Sequence, residues 1–394
     1  MGIILFDDQN RGNLLPLVFT RPVSELRVGI LTIAEKWSRY LNLDASYLTE
    51  IYLQEKFPLS IQSNNLFINS AVCPDQELLA AISNLKEGEA LVSDNILIAL
   101  SLNETAAKDF NFDYLSDYKK TTYNLPFVRI EYLEHIFLFN GEEIKKDFAL
   151  ITHGRSSASL SNTNTILGDQ IFVEDGVEAE CTTFNTKLGP IYLGKNSLIM
   201  EGCHIRGPFS LCDYATLKMG AKIYGMTTIG PYSKVGGEVN NTVIFANSAK
   251  GHEGYLGNSV VGEWCNIGAD SNNSNMKNNY AEVRLWNYEN EKFRKTGLQF
   301  CGLIMADHSK CAINTMFNTG TVVGVSTNLF GSGFPRNFVP DFAWGGNQGY
   351  EVYPLKRVFE TASQAYKRKG ADFDQMEQKI LSHIFGLTEK YRRF

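Results

Sequence analysis

Ile, Leu or Val recurs at every sixth residue through Leu193, Ile199, Ile205, Leu211, Leu217, Ile223, Ile229 and Val235. With about a quarter of residues of these types, chance delivers eight hits in register about once in 10^5 trials, so the period is a real internal repeat. The fourth position after each is small at Ser197, Cys203, Ala215, Ala221, Thr227 and Ser233, with Phe209 the exception. A second run follows at Met305, Cys311, Phe317, Val323 and Leu329, with Ser309, Thr315, Thr321 and Thr327 at the small position. Between the runs, Val261 and Ile267 each precede a Gly. Six matches neither the 3.6-residue period of a helix nor the alternation of an ordinary strand. It fits a prism of short parallel strands, in which each hexapeptide forms one side, the aliphatic residue points inward and the small residue leaves room at the corner.

The flanks differ in kind. Over residues 1–152, apolar runs (IILF, LPLVF, NLFI, ALVS, FLF) alternate with helical spacing such as Leu26, Ile30, Ile33, Trp37 and Leu41, which predicts an α/β domain. Residues 331–346 carry Gly, Pro and aromatics and read as an ordered loop ending the prism. Beyond it, Leu355, Val358, Phe359, Ala362 and Tyr366 have helical spacing, as do Phe373, Met376, Ile380 and Ile384, with Asp374 and Glu377 placed like a capping box. A length of 394 residues accommodates this division into 1–152, 153–346 and 347–394.

Composition narrows the functional classes. A net charge of -6 argues against wrapping nucleic acid, which needs clustered Lys and Arg, but leaves small phosphorylated ligands open. No apolar run reaches the roughly 18 to 20 residues that span a bilayer, and MGIILFDD has neither a basic n-region nor a small-residue cleavage site, so neither membrane insertion nor secretion is expected. The seven cysteines are an odd number, widely spaced and without a CxxC pair, which suits reduced thiols in a cytoplasm.

The hexapeptide run resembles the left-handed parallel β-helix of hexapeptide-repeat acyltransferases. Its richest segment spans 236–279, where the register slips and polar residues crowd in, as they do on the working face of a solenoid. This segment resembles the acetyltransferase half of the bifunctional family that acetylates glucosamine 1-phosphate and uridylylates the product. Glu238-Val239-Asn240 stands where that family has EVK, His252-Glu253-Gly254-Tyr255-Leu256-Gly257-Asn258 where it has HLxYLGD, and Asn266 through Asn275 where it has NIGAGTITCNYDG. The resemblance implies that His252 is the catalytic base, that Tyr255 contacts substrate, and that Asn266 and Asn275 are amide-bearing site residues. The family's sugar-phosphate lysine is Asn240 here, leaving Lys250, Lys277, Lys218, Lys222 or Arg206 as substitutes.

Residues 281–297 read as a hairpin of two alternating strands. Related acetyltransferases carry an insertion here, so reach to an adjacent subunit is expected. Asn314 and Thr315 resemble the segment along which the pantetheine arm of acetyl-CoA lies, while Thr315 equally suits a prism corner. Zinc bound through His204, His252 and His308, as in hexapeptide-repeat carbonic anhydrases, lacks the paired spacing of that family.

At the front, FDDQNRGNLLPLVFTRPVSELRVG resembles a divergent sugar nucleotidyltransferase, with Pro16-Leu17 and Arg21-Pro22 matching and the phosphate-cradling glycines replaced by Asp7, Asp8, Gln9 and Asn10. The resemblance implies Arg11 and Arg21 as triphosphate contacts and Asp94 as a Mg2+ ligand. The whole reads as a short, divergent form of the bifunctional family. Expected are acetyl transfer from acetyl-CoA to an amino-sugar 1-phosphate and nucleotidyl transfer from UTP or a related NTP, with the chain a homotrimer. The alternatives are a single-function acetyltransferase with an inactive front domain, and a non-catalytic regulatory or assembly subunit.

Overall fold

The computed structural model describes residues 1–112 and 118–394. They form two compact units: one of Met1–Leu14, Thr20–Leu26 and Leu31–Glu131, the other of Leu15–Phe19, Arg27–Ile30 and Tyr132–Phe394.

The first unit is built on a six-stranded sheet. In order across it lie Ala45–Leu48, Gly2–Phe6, Asn64–Asn69, Ile96–Asn103, Glu89–Ser93 and Lys119–Thr122. The opening run Ile3, Ile4, Leu5 and Phe6 is almost entirely out of solvent, as a central strand covered on both faces requires. It pairs in parallel with Ala45–Leu48 on one side and Asn64–Asn69 on the other. The chain therefore reverses direction of travel across the sheet at Gly2–Phe6, and the crevice beyond the carboxyl ends of such strands is where open α/β sheets bind ligands. The first helix runs Ile33–Leu41, shorter than the spacing from Leu26 predicts. Its start is set by a capping box in which the Thr32 hydroxyl accepts from Glu35 N and the Glu35 carboxylate accepts from Thr32 N. Trp37 then buries its ring and donates to Val72 O at 2.8 Å.

The second unit is a parallel β-helix. Three hexapeptides make one turn, so Leu193 stacks on Leu211 and Leu211 on Ile229, while Ile199, Leu217 and Val235 form a second column and Ile205 and Ile223 a third. All of these side chains point into one apolar core. The columns continue where the sequence period slips: Ile229 pairs with Ile244, then Val261, Met305, Val323 and Val339. Corners are tight. A Cβ on Gly194 would meet Asp213 N at 2.6 Å, and the Asp213 carboxylate accepts from Lys195 N at 2.9 Å; Gly324 and Asp341 repeat this around Val325 N at 2.7 Å.

The helix His135–Thr152, which composition groups with the front domain, clusters with the β-helix. Its buried face carries Asn140 and Asp147, whose side chains accept from Gly29 N at 2.7 Å and Ile30 N at 2.8 Å, and the Asn140 amide donates to Met226 O at 2.9 Å. The expected hairpin is present as Arg284–Asn287 paired with Lys292–Lys295. It is fastened to its own chain: Tyr288 donates to Asp341 Oδ2 at 2.8 Å, and Arg294 pairs with Glu134 and lies 3.8 Å over the Tyr132 ring. The closing helices Leu355–Arg368 and Gln375–Leu387 follow, the second capped by Asp374 accepting from Glu377 N at 2.9 Å. Tyr366 stacks on Trp264 with ring centroids 3.8 Å apart. Among the described residues no helix is long and apolar enough to cross a membrane.

Candidate active sites

The β-helix departs from its period at the strands Glu238–Ile244 and Tyr255–Val261, which pair Glu238 with Tyr255 and Asn240 with Gly257. The turn between them carries His252, exposed and projecting from a prism corner. An open cleft of about 550 Å³ lies there, lined by Lys218, Gly251, His252, Glu253, Ala269 and Asp270 together with Met200 and Met219. The half-buried Lys218 has no ion pair or hydrogen bond from its ammonium among the described residues. An imidazole and an unpartnered lysine ammonium thus share one cleft, which suits proton removal from a substrate bearing an anionic group.

The other cations named from sequence are differently placed. Lys250 is buried, its ammonium donating to Gly236 O at 2.9 Å and His252 O at 2.8 Å, and burial lowers its pKa to about 8. Lys277 donates to Glu282 O at 2.9 Å, at the base of the hairpin. Lys222 lies 3.6 Å from Glu253, and the exposed Arg206 is not among the cleft residues.

Tyr255 and Asn275 are brought together. The Asn275 amide donates to the Tyr255 hydroxyl at 2.9 Å and to Asn258 Oδ1 at 2.8 Å. Burial raises the Tyr255 pKa, Glu238 adds to this, and hydrogen bonds from Asn240 and Asn275 oppose it. The result is a neutral phenol within a cluster of amides. Asn258 ends the Tyr255-Leu256-Gly257-Asn258 motif but was given no site role from sequence. Asn266 does not join this cluster; it stands exposed on a different strand stack, between Ala249 and Lys310. Asn314 is exposed at a left-handed corner (φ 58°). The buried Thr315 donates its hydroxyl to Ala312 O at 2.8 Å and its N–H to Ser271 Oγ at 3.2 Å, so its polar atoms hold a prism corner.

In the first unit, polar side chains gather at the carboxyl ends of Gly2–Phe6 and Asn64–Asn69. Arg11 donates to Asp7 Oδ2 at 2.9 Å and to Arg21 O at 3.0 Å, which ties the two arginines named from sequence into one loop. Asp8 accepts from Asn69 and Arg129, each at 2.8 Å. Asn69 and Arg129 lie outside any sequence motif, and only the strand pairing shows that they meet Asp8. Asp94 occupies the turn between the antiparallel strands Glu89–Ser93 and Ile96–Asn103, with a left-handed backbone (φ 49°) suited to a tight hairpin. That turn opens on the same edge of the sheet, because Glu89–Ser93 runs in the direction of Gly2–Phe6. The Asp94 carboxylate is exposed and unpaired among the described residues. Among the described residues, no three His, Cys, Asp or Glu side chains form a metal cage there. A single free carboxylate fits Mg2+ held chiefly by substrate phosphates and water.

A sugar nucleotidyl transferase family matches residues 3–156. Bifunctional GlmU of Wigglesworthia glossinidia brevipalpis is 23% identical over 326 residues, covering 79% of this chain and 59% of that protein. GlmU of Thermus thermophilus is 27% identical over 194 residues, 42% of each chain, and that of Paracoccus denitrificans is 36% identical over 70 residues, 18% of this chain and 15% of that protein. The chain thus spans less than two thirds of the length of these curated relatives. Among solved structures, Francisella novicida UDP-N-acetylglucosamine acyltransferase overlaps 60% of this chain and 78% of its own at 11% identity and a TM-score of 0.30, a likeness too slight to carry an argument. By sequence the chain is GlmU-like, with a front segment matching the sugar nucleotidyl transferases.

Proposed function

We propose that the β-helix transfers an acetyl group from acetyl-CoA to the amine of an amino-sugar 1-phosphate, and that the front domain transfers a nucleotidyl group from UTP or a related NTP to the sugar phosphate. The observation that carries the first half is the cleft shared by His252 and the unpartnered Lys218. Lys218 holds the phosphate by charge, in the role that Asn240 leaves vacant. The amine arrives protonated and must lose a proton before attack. His252 takes it and releases it to solvent, the N–C bond forms at the thioester carbon, and as the C–S bond breaks His252 takes the second proton from the nitrogen and passes it to the departing thiolate of CoA. Tyr255, Asn275 and Asn258 offer neutral hydrogen bonds to sugar hydroxyls. Asn314 and Thr315 flank the path of the pantetheine arm, Thr315 by its backbone and methyl group because its hydroxyl is engaged. Lys277 and Asn266 supply outer contacts completed by a neighbouring prism.

In the front domain Arg11 and Arg21 face the triphosphate at the switch point of the sheet, and Asp94 anchors Mg2+. The metal, when bound, offsets charge on the reacting phosphates. The protein is read as a cytoplasmic homotrimer whose acetyl-transfer site lies between prisms. A monomer by light scattering at micromolar concentration overturns that assembly. The second reading, a single-function acetyltransferase, is favoured by the Asp7–Arg11 and Asp8–Arg129 pairs, which already neutralise two guanidinium groups at the front site. Incubating purified protein with acetyl-CoA, UTP, Mg2+ and a panel of sugar 1-phosphates, with products read by mass spectrometry, decides between them. Acetylated sugar without nucleotide sugar selects the second reading, and neither product refutes both.

A further inference from the structure

One column inside the β-helix contains a residue that does not belong in an apolar core. Ile199 stacks on Leu217 and Leu217 on Val235; Val235 stacks on Lys250; and one coil further on, Ile267 stacks on Cys311 and Cys311 on Leu329. Every neighbour in this column is apolar, and Lys250 is itself 2% exposed. Burying an ammonium costs several kcal/mol unless its donors are satisfied, and an aliphatic residue of similar length would avoid that cost. Among the described residues the ammonium is in no ion pair. It donates at 2.9 Å to Gly236 O and at 2.8 Å to His252 O, the main-chain corners of two successive coils.

We infer that Lys250 is a positioning residue that braces the His252 turn from inside the prism by clamping the carbonyls of Gly236 and His252. The inference rests on the proposed role of His252. The far side of the turn is held by Asp270 N donating to Glu253 O at 3.1 Å and Glu238 N to Gly254 O at 3.3 Å, but at His252 itself the Lys250 ammonium is the hydrogen-bond partner among the described residues: the imidazole makes no hydrogen bond, Gly251 and Gly254 flank the His252-Glu253 pair, and Gly254 has a left-handed backbone (φ 116°). A base needs its main chain fixed, since a displacement of about 1 Å can cost on the order of 10^2-fold in rate. The charged groups acting on Lys250 are Glu253 and Asp270, which favour its cationic form, with Lys222 opposing it and the Cys311 thiol nearby. Burial dominates, and the ammonium is lost through a pKa of about 8, well below that of an exposed lysine.

The test compares the full-length wild-type chain with Lys250→Met and with Lys250→Cys alkylated by 2-bromoethylamine, which rebuilds an ammonium of nearly the same reach. Hydrogen exchange at Glu238 and Asp270, whose N–H groups donate to the Gly254 and Glu253 carbonyls of the turn, needs no activity: it should quicken roughly tenfold or more in Lys250→Met while the other coils keep their protection, and return toward wild type in the alkylated variant. Where acetyl transfer is detected, Lys250→Met should lower kcat by about 10- to 100-fold with little change in KM, and should have no further effect in a His252→Ala background. Unchanged exchange at Glu238 and Asp270 overturns the brace. So does a kcat loss that persists undiminished without His252. An exchange effect in a protein that acetylates nothing leaves the brace standing and refutes the acetyltransferase reading.

Discussion

Lys218 and His252 line one cleft from corners of different coils, although 34 residues separate them in sequence. The β-helix makes this adjacency. Lys218 follows Leu217, Leu217 stacks on Val235 and Val235 on Lys250, so the corner after Lys250 comes to rest above the corner after Leu217.

If Lys218 binds the acceptor's phosphate, Lys218→Ala should raise KM for an amino-sugar 1-phosphate by about 10-fold or more, in line with loss of a charge-assisted contact worth about 1.5 to 3 kcal/mol. The unphosphorylated amino sugar should be acetylated equally, and poorly, by both proteins. Steady-state kinetics with the two acceptors measure this directly, and an equal rise in KM for both would remove Lys218 from phosphate binding.

The two chemistries should separate at Asp94. Its carboxylate is free among the described residues at the working edge of the front sheet, so Asp94→Ala should abolish Mg2+-dependent nucleotidyl transfer while leaving acetyl transfer intact. Because Asp94 is exposed and not part of the core, folding should be unaffected. Nucleotidyl transfer at wild-type rate in this variant would place the metal elsewhere.

Much of this was legible in the repeat. Eight aliphatic residues in register define the prism because each coil stacks the same position on the last, and the inward columns observed are the ones the sequence counts out. Lys250 was not legible as a core residue, since the coil between Val235 and Lys250 departs from the hexapeptide count and its place in the column appears only once the strands are paired. Membership of the helix His135–Thr152 was hidden for another reason: its buried Asn140 and Asp147 read as polar surface positions until Gly29 and Ile30 are seen to donate to them. Arg129 has no local signal at all, and its pairing with Asp8 spans nearly the whole front unit.

Asp341 gives the fold a pH dependence of definite sign. It is fully buried, and burial pushes its carboxyl up to about 6 even though Val325 N and the Tyr288 hydroxyl donate to it. An unfolded aspartate titrates near about 3.9, so the native chain binds the extra proton between roughly pH 4 and 6. Stability from this group is therefore greatest below about pH 4, falls as pH rises through that window, and is about 3 kcal/mol lower above pH 6. Asp341→Asn keeps an acceptor for Val325 N without the charge. Urea midpoints of the two proteins at a series of pH values should diverge between pH 4 and 6 with the variant gaining, and parallel curves would show that Asp341 does not titrate there.

A sugar amine is mostly protonated near neutral pH, and attack on a thioester requires its lone pair, so the cleft needs an acceptor that is neutral at pH 7. Histidine, with an unperturbed pKa of about 6.5, is the side chain best matched to that task. Of the other titratable groups lining the cleft, Glu253 and Asp270 offer carboxylates, a weaker type of base than imidazole, Glu253 is also drawn toward Lys222, and Lys218 carries a charge of the wrong sign to accept a proton. His252→Ala should therefore lower kcat by about 10^2- to 10^4-fold, the usual range for a positioned base, while acetyl-CoA affinity and assembly stay nearly unchanged. Tyr255→Phe and Asn275→Ala should cost less, because their hydrogen bonds are to each other and to the sugar rather than to the transferred proton. Calorimetric titration with acetyl-CoA separates lost binding from lost chemistry. Full acetyltransferase activity in His252→Ala on the best acceptor would mean that the proton leaves by another route, and the chemistry assigned to this cleft would fall with it.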